Sequence, residues 1–292
     1  MACSWPLRAQ TNPAVHRFAV GAAEITVLSD GNMSLPLGFV LPGRERADVE
    51  ALFTSQGRTL GEFVSPVNVT LVRIGAELIL IDTGGGPDFM PTLGRLADNL
   101  EAAGIRPEAI TTVVFTHAHP DHMWGVIDPL DGGTLFPKAR HVMSTVERDF
   151  WLKPGVETAM PDALRGIALG SQRRLTAIVG RLDTVKPGAD VAPGITLIDT
   201  AGHTPGHVSV ALRSGAEDLL IGGDALSHPI VSFAKPDWRW GPDLDQTKAA
   251  ATRKQLLDRL VTDKAALLGY HLPWPGVGRV ERKADGYRFI AS

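Results

Sequence analysis

The sequence predicts an α/β fold, and three observations carry that prediction. Apolar runs rich in β-branched residues recur along the chain and alternate with stretches of helical spacing. Side chains able to ligate a metal follow directly on the end of a predicted strand four times: His117 with His119, then His203, then Asp224, then His271. Loops at strand ends are where an α/β scaffold gathers a site from distant parts of a chain. The third observation is size: 292 residues with 44% hydrophobic content suffice for one large core or two tightly fused halves.

Residues 1–16 lack periodicity and are expected to form an arm ahead of one domain over 17–292. Residues 18–28 alternate in part around Gly21 and read as a hairpin, followed by a turn at Ser29-Asp30-Gly31. Residues 35–42 are apolar but broken by Pro36, Gly38 and Pro42, which makes a buried strand difficult and leaves an apolar loop beside a pocket or a piece of core. Residues 46–53 have helical spacing, with Val49, Leu52 and Phe53 on one face. A second hairpin pairs 67–74 with 77–81 and runs straight into Asp82-Thr83-Gly84-Gly85-Gly86. An aspartate at the end of a buried strand must be satisfied, so Asp82 either caps the glycine turn or stands beside a metal.

Residues 92–103 form an amphipathic helix through Leu93, Leu96, Leu100 and Ala103, stopped by Gly104. The strand over 111–115 delivers the first histidines. Next come a short strand at 139–143, a helical turn over 146–152 carrying Phe150 and Trp151, and one or two helices within 156–180. Short strands close at Val185 and span 195–199; a hairpin pairs 208–212 with 219–221, ending in Gly222-Gly223-Asp224. The last long helix covers 247–260, a strand over 265–268 ends in Gly269-Tyr270-His271, and the tail through Val280 and Phe289 adds a hairpin. Both halves run hairpin, helix, strand and ligand loop, the pattern an old duplication would leave.

Composition narrows the partners. A formal net charge of −3, with no basic run longer than two residues, removes the electrostatic reason to expect nucleic acid or an anionic membrane surface and favours a small-molecule substrate. No stretch approaches eighteen consecutive apolar residues and the first eight residues lack an uninterrupted apolar segment, so neither a membrane span nor an intact signal peptide is expected. As it stands the sequence reads as cytoplasmic, and a removed signal peptide would make it periplasmic. The single Cys3 excludes a thiolate-rich metal site, so a bound metal must rest on histidine and carboxylate.

The densest signal is Thr116-His117-Ala118-His119-Pro120-Asp121-His122. Imidazole nitrogens and carboxylate oxygens suit zinc and its first-row neighbours. Ligands offset by two and by three to five positions cannot all face one ion from a regular strand or helix, so they need a loop. Pro120 and Asp121 suit the first positions of a helix after that loop.

Together with Asp82 in Leu80-Ile81-Asp82-Thr83-Gly84, Gly202-His203-Thr204-Pro205-Gly206-His207, Gly223-Asp224 and Tyr270-His271, this cluster resembles the metallo-β-lactamase superfamily in motif and in order. The resemblance spans roughly residues 18–289. Within the superfamily it is most similar to the methyl parathion hydrolase and lactonase branch, through Phe89-Met90-Pro91-Thr92-Leu93-Gly94, Phe150-Trp151-Leu152, Phe233-Ala234-Lys235-Pro236 and His271-Leu272-Pro273-Trp274-Pro275-Gly276.

The resemblance implies an αββα sandwich of two mixed sheets flanked by helices, with two divalent metal ions at one edge, Zn2+ first and Mn2+, Co2+ or Fe2+ as substitutes. It assigns His117, His119 and His203 to one ion, Asp121, His122 and His271 to the other, and Asp224 as the bridge. Asp121 and Asp224 are the catalytic candidates, Asp121 also as proton acceptor. Asp82 is expected to support the ligands from outside, and His228, near Asp224, either does the same or faces the substrate. His207 is the non-ligand of its motif. Phe89, Trp151, Leu37, Leu41, Trp238 and Trp240 are candidates for the substrate pocket, and Arg239 for an anionic group.

True lactamases of the superfamily lack the bridging aspartate, so Asp224 favours lactone, aryl ester or organophosphate hydrolysis. Some quorum-quenching lactonases carry a tyrosine three positions after that aspartate, where this chain has Ser227. Hydrolytic dehalogenation of chloroaromatics and a metal-binding module without turnover are the competing readings, and a homodimer is the assembly the resemblance allows.

Overall fold

The computed structural model describes residues 14–160 and 162–292. Among these, fourteen strands form two seven-stranded sheets, each ordered along the sequence. The first holds β1 (Val15–Val20), β2 (Ala23–Leu35), β3 (Phe63–Ile74), β4 (Glu77–Ile81), β5 (Thr112–Val114), β6 (Arg140–Ser144) and β7 (Leu182–Val185). Strands β1 to β4 pair antiparallel and β4 to β7 parallel. The second holds β8 (Asp190–Ala192), β9 (Ile195–Asp199), β10 (Val208–Ser214), β11 (Glu217–Ile221), β12 (Ala266–Leu268), β13 (Val277–Lys283) and β14 (Gly286–Ala291). Only β11 with β12 pairs parallel in it. Eight α-helices are described: α1 (Leu37–Val40), α2 (Arg46–Ser55), α3 (Leu96–Ala102), α4 (Pro120–Met123), α5 (Thr145–Trp151), α6 (Asp162–Ile178), α7 (Val231–Ala234) and α8 (Gln246–Asp263).

Strand alternation decides the layers. Ile79 and Ile81 of β4, Val114 of β5 and Val142 of β6 join Leu219 and Ile221 of β11 and Leu268 of β12 in one core between the sheets. Their sequence neighbours Leu78, Leu80, Val113 and Met143 face the other way, onto Leu96 and Leu100 of α3, Trp151 of α5 and Leu175 of α6. On the second sheet Leu220 and Leu267 turn outward onto Leu256, Leu257 and Leu260 of α8. A period of two sends successive side chains to opposite faces, so strands apolar on both faces demand cover on both. The result is the αββα sandwich expected.

Several local expectations change. The Asp-Gly signal at 29–31 marks a bulge, with β2 continuing through it to Leu35. Bulges and turns favour the same residues, and the difference here is Asp30, whose buried carboxylate accepts the N–H groups of Gly85, Gly94 and Leu96. Those bonds also hold 92–95 out of the helix, which starts only at Leu96. Residues 35–42 split between the short α1 and a buried Leu41. Strand β8 escaped the sequence reading because an Asp-Val-Ala edge strand has little β signal. The expected arm falls mostly outside the described residues, although β1 already begins at Val15. No described helix is long and apolar enough to cross a membrane.

Candidate metal centre

Four strand ends meet at one edge of the sandwich. After β5 a loop runs through a bend at Thr116 to His119, and Pro120 opens α4, so Asp121 and His122 fall in its first turn. His203 follows β9, Asp224 follows β11 in the 3-10 turn Gly223–Leu226, and His271 follows β12. The structure thereby brings together all seven residues that the resemblance assigned to metal.

Among the described residues three overlapping groups could hold an ion: His117 with His119 and His203, Asp121 with His122 and His271, and His117 with His122 and Asp224 across the first two. Asp224 lies between the first two groups. Its Oδ1 is 3.0 Å from His122 Nε2 and 3.2 Å from His271 Nε2, while its Oδ2 is 3.2 Å from His203 Nε2. Asp121 Oδ2 is 3.2 Å from His271 Nε2, and His119 Nδ1 is 2.9 Å from His203 Nε2. Four histidines turn the opposite ring nitrogen to the protein: His117 Nδ1 to Thr116 Oγ1, His122 Nδ1 to Asp82 Oδ2, His203 Nδ1 to Asp243 Oδ1 and His271 Nδ1 to the Pro66 carbonyl. Such outer bonds fix ring orientation and leave Nε2 for the centre.

The donor set fits two divalent ions. His117 Nε2, His122 Nε2 and Asp224 Oδ1 are buried and have no hydrogen-bond partner, which a folded chain tolerates when a cation converges on them. Only nitrogen and carboxylate oxygen are offered, the preference of zinc and its neighbours. The electrostatics agree. Burial alone would raise Asp224, yet His271, His122 and His203 hold its carboxyl well below the usual range. Burial likewise opposes charge on His203 and His271, but Asp224 and the other facing carboxylates push them up to about 9 and about 10. His119 goes the other way, to about 3, through burial and His203. Positive charge is thus favoured at the middle of the cluster.

The outer partners include several that the sequence did not reveal. Asp82 accepts from Thr116 N and Thr116 Oγ1 at 2.7 Å each and faces His122, so it stands beside the metal residues and caps no glycine turn. Asp243 spans His203 Nδ1 and Arg253 Nη2, at 2.9 and 2.8 Å. Glu147 is buried and accepts from Ala118 N, Trp151 Nε1, Thr204 Oγ1 and Gly206 N, joining both histidine loops to α5. Tyr270 stacks on His122, with ring centroids 3.9 Å apart, and donates to the Asp121 carbonyl. His207 takes the Asp224 N–H on Nε2, a positioning role consistent with its reading as a non-ligand. The one signal that could have exposed Glu147 is its i,i+4 spacing to Trp151. Asp243 looked like one more aspartate ahead of a helix, the role that Asp245 fills by accepting from Lys248 N.

Above the cluster opens a cavity whose apolar lining includes Leu35, Phe39, Phe89, Trp151, Met160 and Trp240. Phe89, Trp151 and Trp240 are where the sequence placed them. Leu37, Leu41 and Trp238 do not line it: Leu41 is buried with Val49, Leu52 and Phe53, Leu37 packs on that cluster, and Trp238 lies under the Arg44 guanidinium. Arg239 is exposed and outside the lining. His228 touches none of the seven residues through a hydrogen bond; its Nδ1 serves the backbone ahead of α7.

A model of the metallo-beta-lactamase superfamily matches residues 63–271, which include all seven. The chain belongs to the metallo-β-lactamase superfamily. Among solved structures, AidC, a dizinc quorum-quenching lactonase in complex with a product, N-hexanoyl-L-homoserine, shares 30% identity and a TM-score of 0.89, covering 96% of this chain and 97% of that one. The hydrolase AbOPH, also of the superfamily, shares 30% identity and a TM-score of 0.88 over 97% and 99% of the two chains. A probable metallo-hydrolase of Mycobacterium tuberculosis is 27% identical over 183 residues, 55% of this chain and 57% of its own length. The N-acyl homoserine lactonase AiiB of Agrobacterium fabrum is 25% identical over 197 residues, 60% of this chain and 68% of its own. The matched part thus spans less than two thirds of the mycobacterial relative. Family and geometry together give this chain the His/Asp donor set of the superfamily's dinuclear metal site.

Proposed function

We propose that this chain hydrolyses neutral carboxylic esters, lactones foremost and aryl esters beside them, with organophosphate triesters as a side activity. In this reading His117, His119 and His203 would hold one ion and Asp121, His122 and His271 the other, with Asp224 placed to serve both. Zn2+ suits these donors best, and Mn2+, Co2+ or Fe2+ would accept the same set. Bound there, the two ions supply a nucleophile at neutral pH and polarise the attacked carbonyl.

One observation carries the choice of substrate: away from the metal-facing residues the cavity over the site is mostly apolar, and among the described residues no lysine or arginine lines it. A charged group on the substrate body, away from the metal-facing residues, would lose its hydration there without gaining a partner among the described residues, whereas a neutral ester with an apolar body loses little. Phe89, Trp151, Met160 and Trp240 would take up that body and exclude water. Asp121 lines the same cavity, so its carboxylate is placed to accept the proton released on attack and to return it to the leaving oxygen. Ser227 Oγ donates to the Asp224 carbonyl at 2.8 Å and has no proton left for the substrate. The likeness to AidC supports the lactone reading.

The test is a hydrolysis screen of metal-replete protein against lactones, aryl esters, organophosphates, chloroaromatics, β-lactams and glutathione thioesters. Lactones are expected to give the highest kcat/KM. Halide release from a chloroaromatic exceeding every ester would overturn the reading, and metal-loaded protein that bound lactones without hydrolysing any would leave a binding module.

A further inference from the structure

Four consecutive residues of one ligand loop are held from the opposite sheet. The loop over 269–276 follows β12 of the second sheet and carries His271, and β3 of the first sheet bonds to it residue by residue. Asn68 Nδ2 donates to the Gly269 carbonyl at 3.1 Å and to the Leu272 carbonyl at 2.8 Å. Asn68 N donates to the Tyr270 carbonyl at 3.0 Å, and the Pro66 carbonyl accepts the His271 Nδ1–H at 2.7 Å. At its base the loop is closed by Gly269 N, which donates to the Gly276 carbonyl at 2.9 Å. Gly276 has a φ of +81°, and a β-carbon there would meet the Gly269 carbonyl oxygen at 2.4 Å and Asn68 Nδ2 at 2.8 Å. The closed loop therefore fits around the carboxamide only with glycine at that position.

The side chain chosen at position 68 agrees with this. Asn68 is fully buried, and its Oδ1 has no partner among the described residues. An unpaired buried oxygen lowers stability, and a valine like its neighbours Val67 and Val69 would carry none. What valine lacks is the pair of donors. Both acceptors are carbonyls, so only the NH2 end can face them, and the orientation of the amide is fixed. The effect reaches past His271. Tyr270 stacks on His122 and donates to the Asp121 carbonyl, so the loop seats one metal-facing residue directly and bears on two more through the phenol. Among the described residues Asn68 makes no hydrogen bond to the loops of His117, His119 and His203.

We propose that Asn68 is a positioning residue for the group of Asp121, His122 and His271. It seats the loop so that His271 Nε2 stands 3.2 Å from both Asp121 Oδ2 and Asp224 Oδ1, and it sets metal affinity there without setting it at His117, His119 and His203. This rests on the ligand assignment in the reading above.

The experiment titrates metal-free wild type, Asn68→Asp, His271→Ala and His203→Ala with Co2+ and follows visible absorption. The two histidine variants identify which binding step belongs to which group. Aspartate keeps the shape of Asn68 but turns an oxygen, in place of the NH2, toward two carbonyls. N68D is expected to weaken the step that H271A removes by at least about tenfold and to leave the other within about threefold. A bond that served only the fold would move both steps alike or neither. Equal weakening of both, a loss confined to the other step, or no loss overturns the proposal while the ligand assignment stands. If H271A leaves both steps at wild-type strength, the ligand assignment fails and the proposal falls with it. Should N68D not fold, hydrogen exchange on wild type decides. By linkage, bonds that favour metal binding are themselves favoured by bound metal. Zn2+ should therefore slow exchange of the Asn68 side-chain amide protons at least about tenfold more than that of backbone amides in β7. Slowing no greater than in β7 refutes the positioning role.

Discussion

At the scale of single residues, Asp224 and Asp243 separate two kinds of contribution. Asp224 offers one oxygen to each histidine group, so neutralising it as Asp224→Asn should leave fewer than two ions per chain. Elemental analysis of dialysed protein checks this, with kcat/KM expected to drop by at least about 100-fold, above the range for outer partners. Two retained ions at full activity would exclude a bridging role. Asp243 reaches the centre only through His203 Nδ1. Asp243→Asn keeps an acceptor there but removes the charge, and a competition titration with a chelating dye should show metal affinity weakened roughly 10- to 100-fold. Alanine is the poorer test, because it strands the buried Arg253 guanidinium and costs about 3–5 kcal/mol of stability for a reason unrelated to metal.

At the scale of elements, the centre depends on loops that only the fold brings together, and Glu147 is the join. It accepts one bond from the loop after β5, two from the loop after β9 and one from Trp151 of its own helix. Glu147→Ala would leave four buried donors without an acceptor, for a loss on the order of 3–5 kcal/mol. Denaturant unfolding of the metal-free protein measures that loss, and a change under about 1 kcal/mol would show that water replaces the carboxylate. Glu147 also marks the limit of what could be read in advance. The seven metal-facing residues were legible because ligand chemistry restricts them to histidine and aspartate just after strands, and resemblance supplied their pairing. The sheets were legible because strands covered on both faces must be apolar on both faces. Glu147, Asp243 and Arg253 were not, since Glu147 and Asp243 are defined by partners 29 to 59 positions away, and the Asp243–Arg253 pair, 10 positions apart, lies in a stretch that looks like any helix start. Leu37, Leu41 and Trp238 failed as pocket residues for the converse reason: apolar character marks burial without saying which cavity, if any, the side chain faces.

For the whole molecule, metal binding, protonation and stability are linked with a definite sign. In the metal-free protein His203 and His271 lie at about 9 and about 10, raised above an ordinary histidine by the facing carboxylates, with burial opposing, and His122 is raised as well. A histidine raised on folding adds stability that is complete below the unfolded value near 6.5 and is lost as pH rises through the folded one. Asp121 and Asp224 are held low and stay ionised throughout that window, so they do not offset the loss. His117 and His207 are lowered and neutral, and they do not reverse it. The metal-free chain should therefore lose stability from pH 6.5 to 10, as protons leave the carboxylates unpaired. Ions at the same place must displace those protons, so their affinity rises over the same range. The stabilisation by metal, measured as the Tm difference between loaded and chelator-treated protein at fixed free metal, should widen steadily from pH 6.5 to 9. A difference that stayed constant or narrowed would mean that the histidines are already neutral at pH 6.5, and that positive charge is not what holds this edge of the sandwich together without metal.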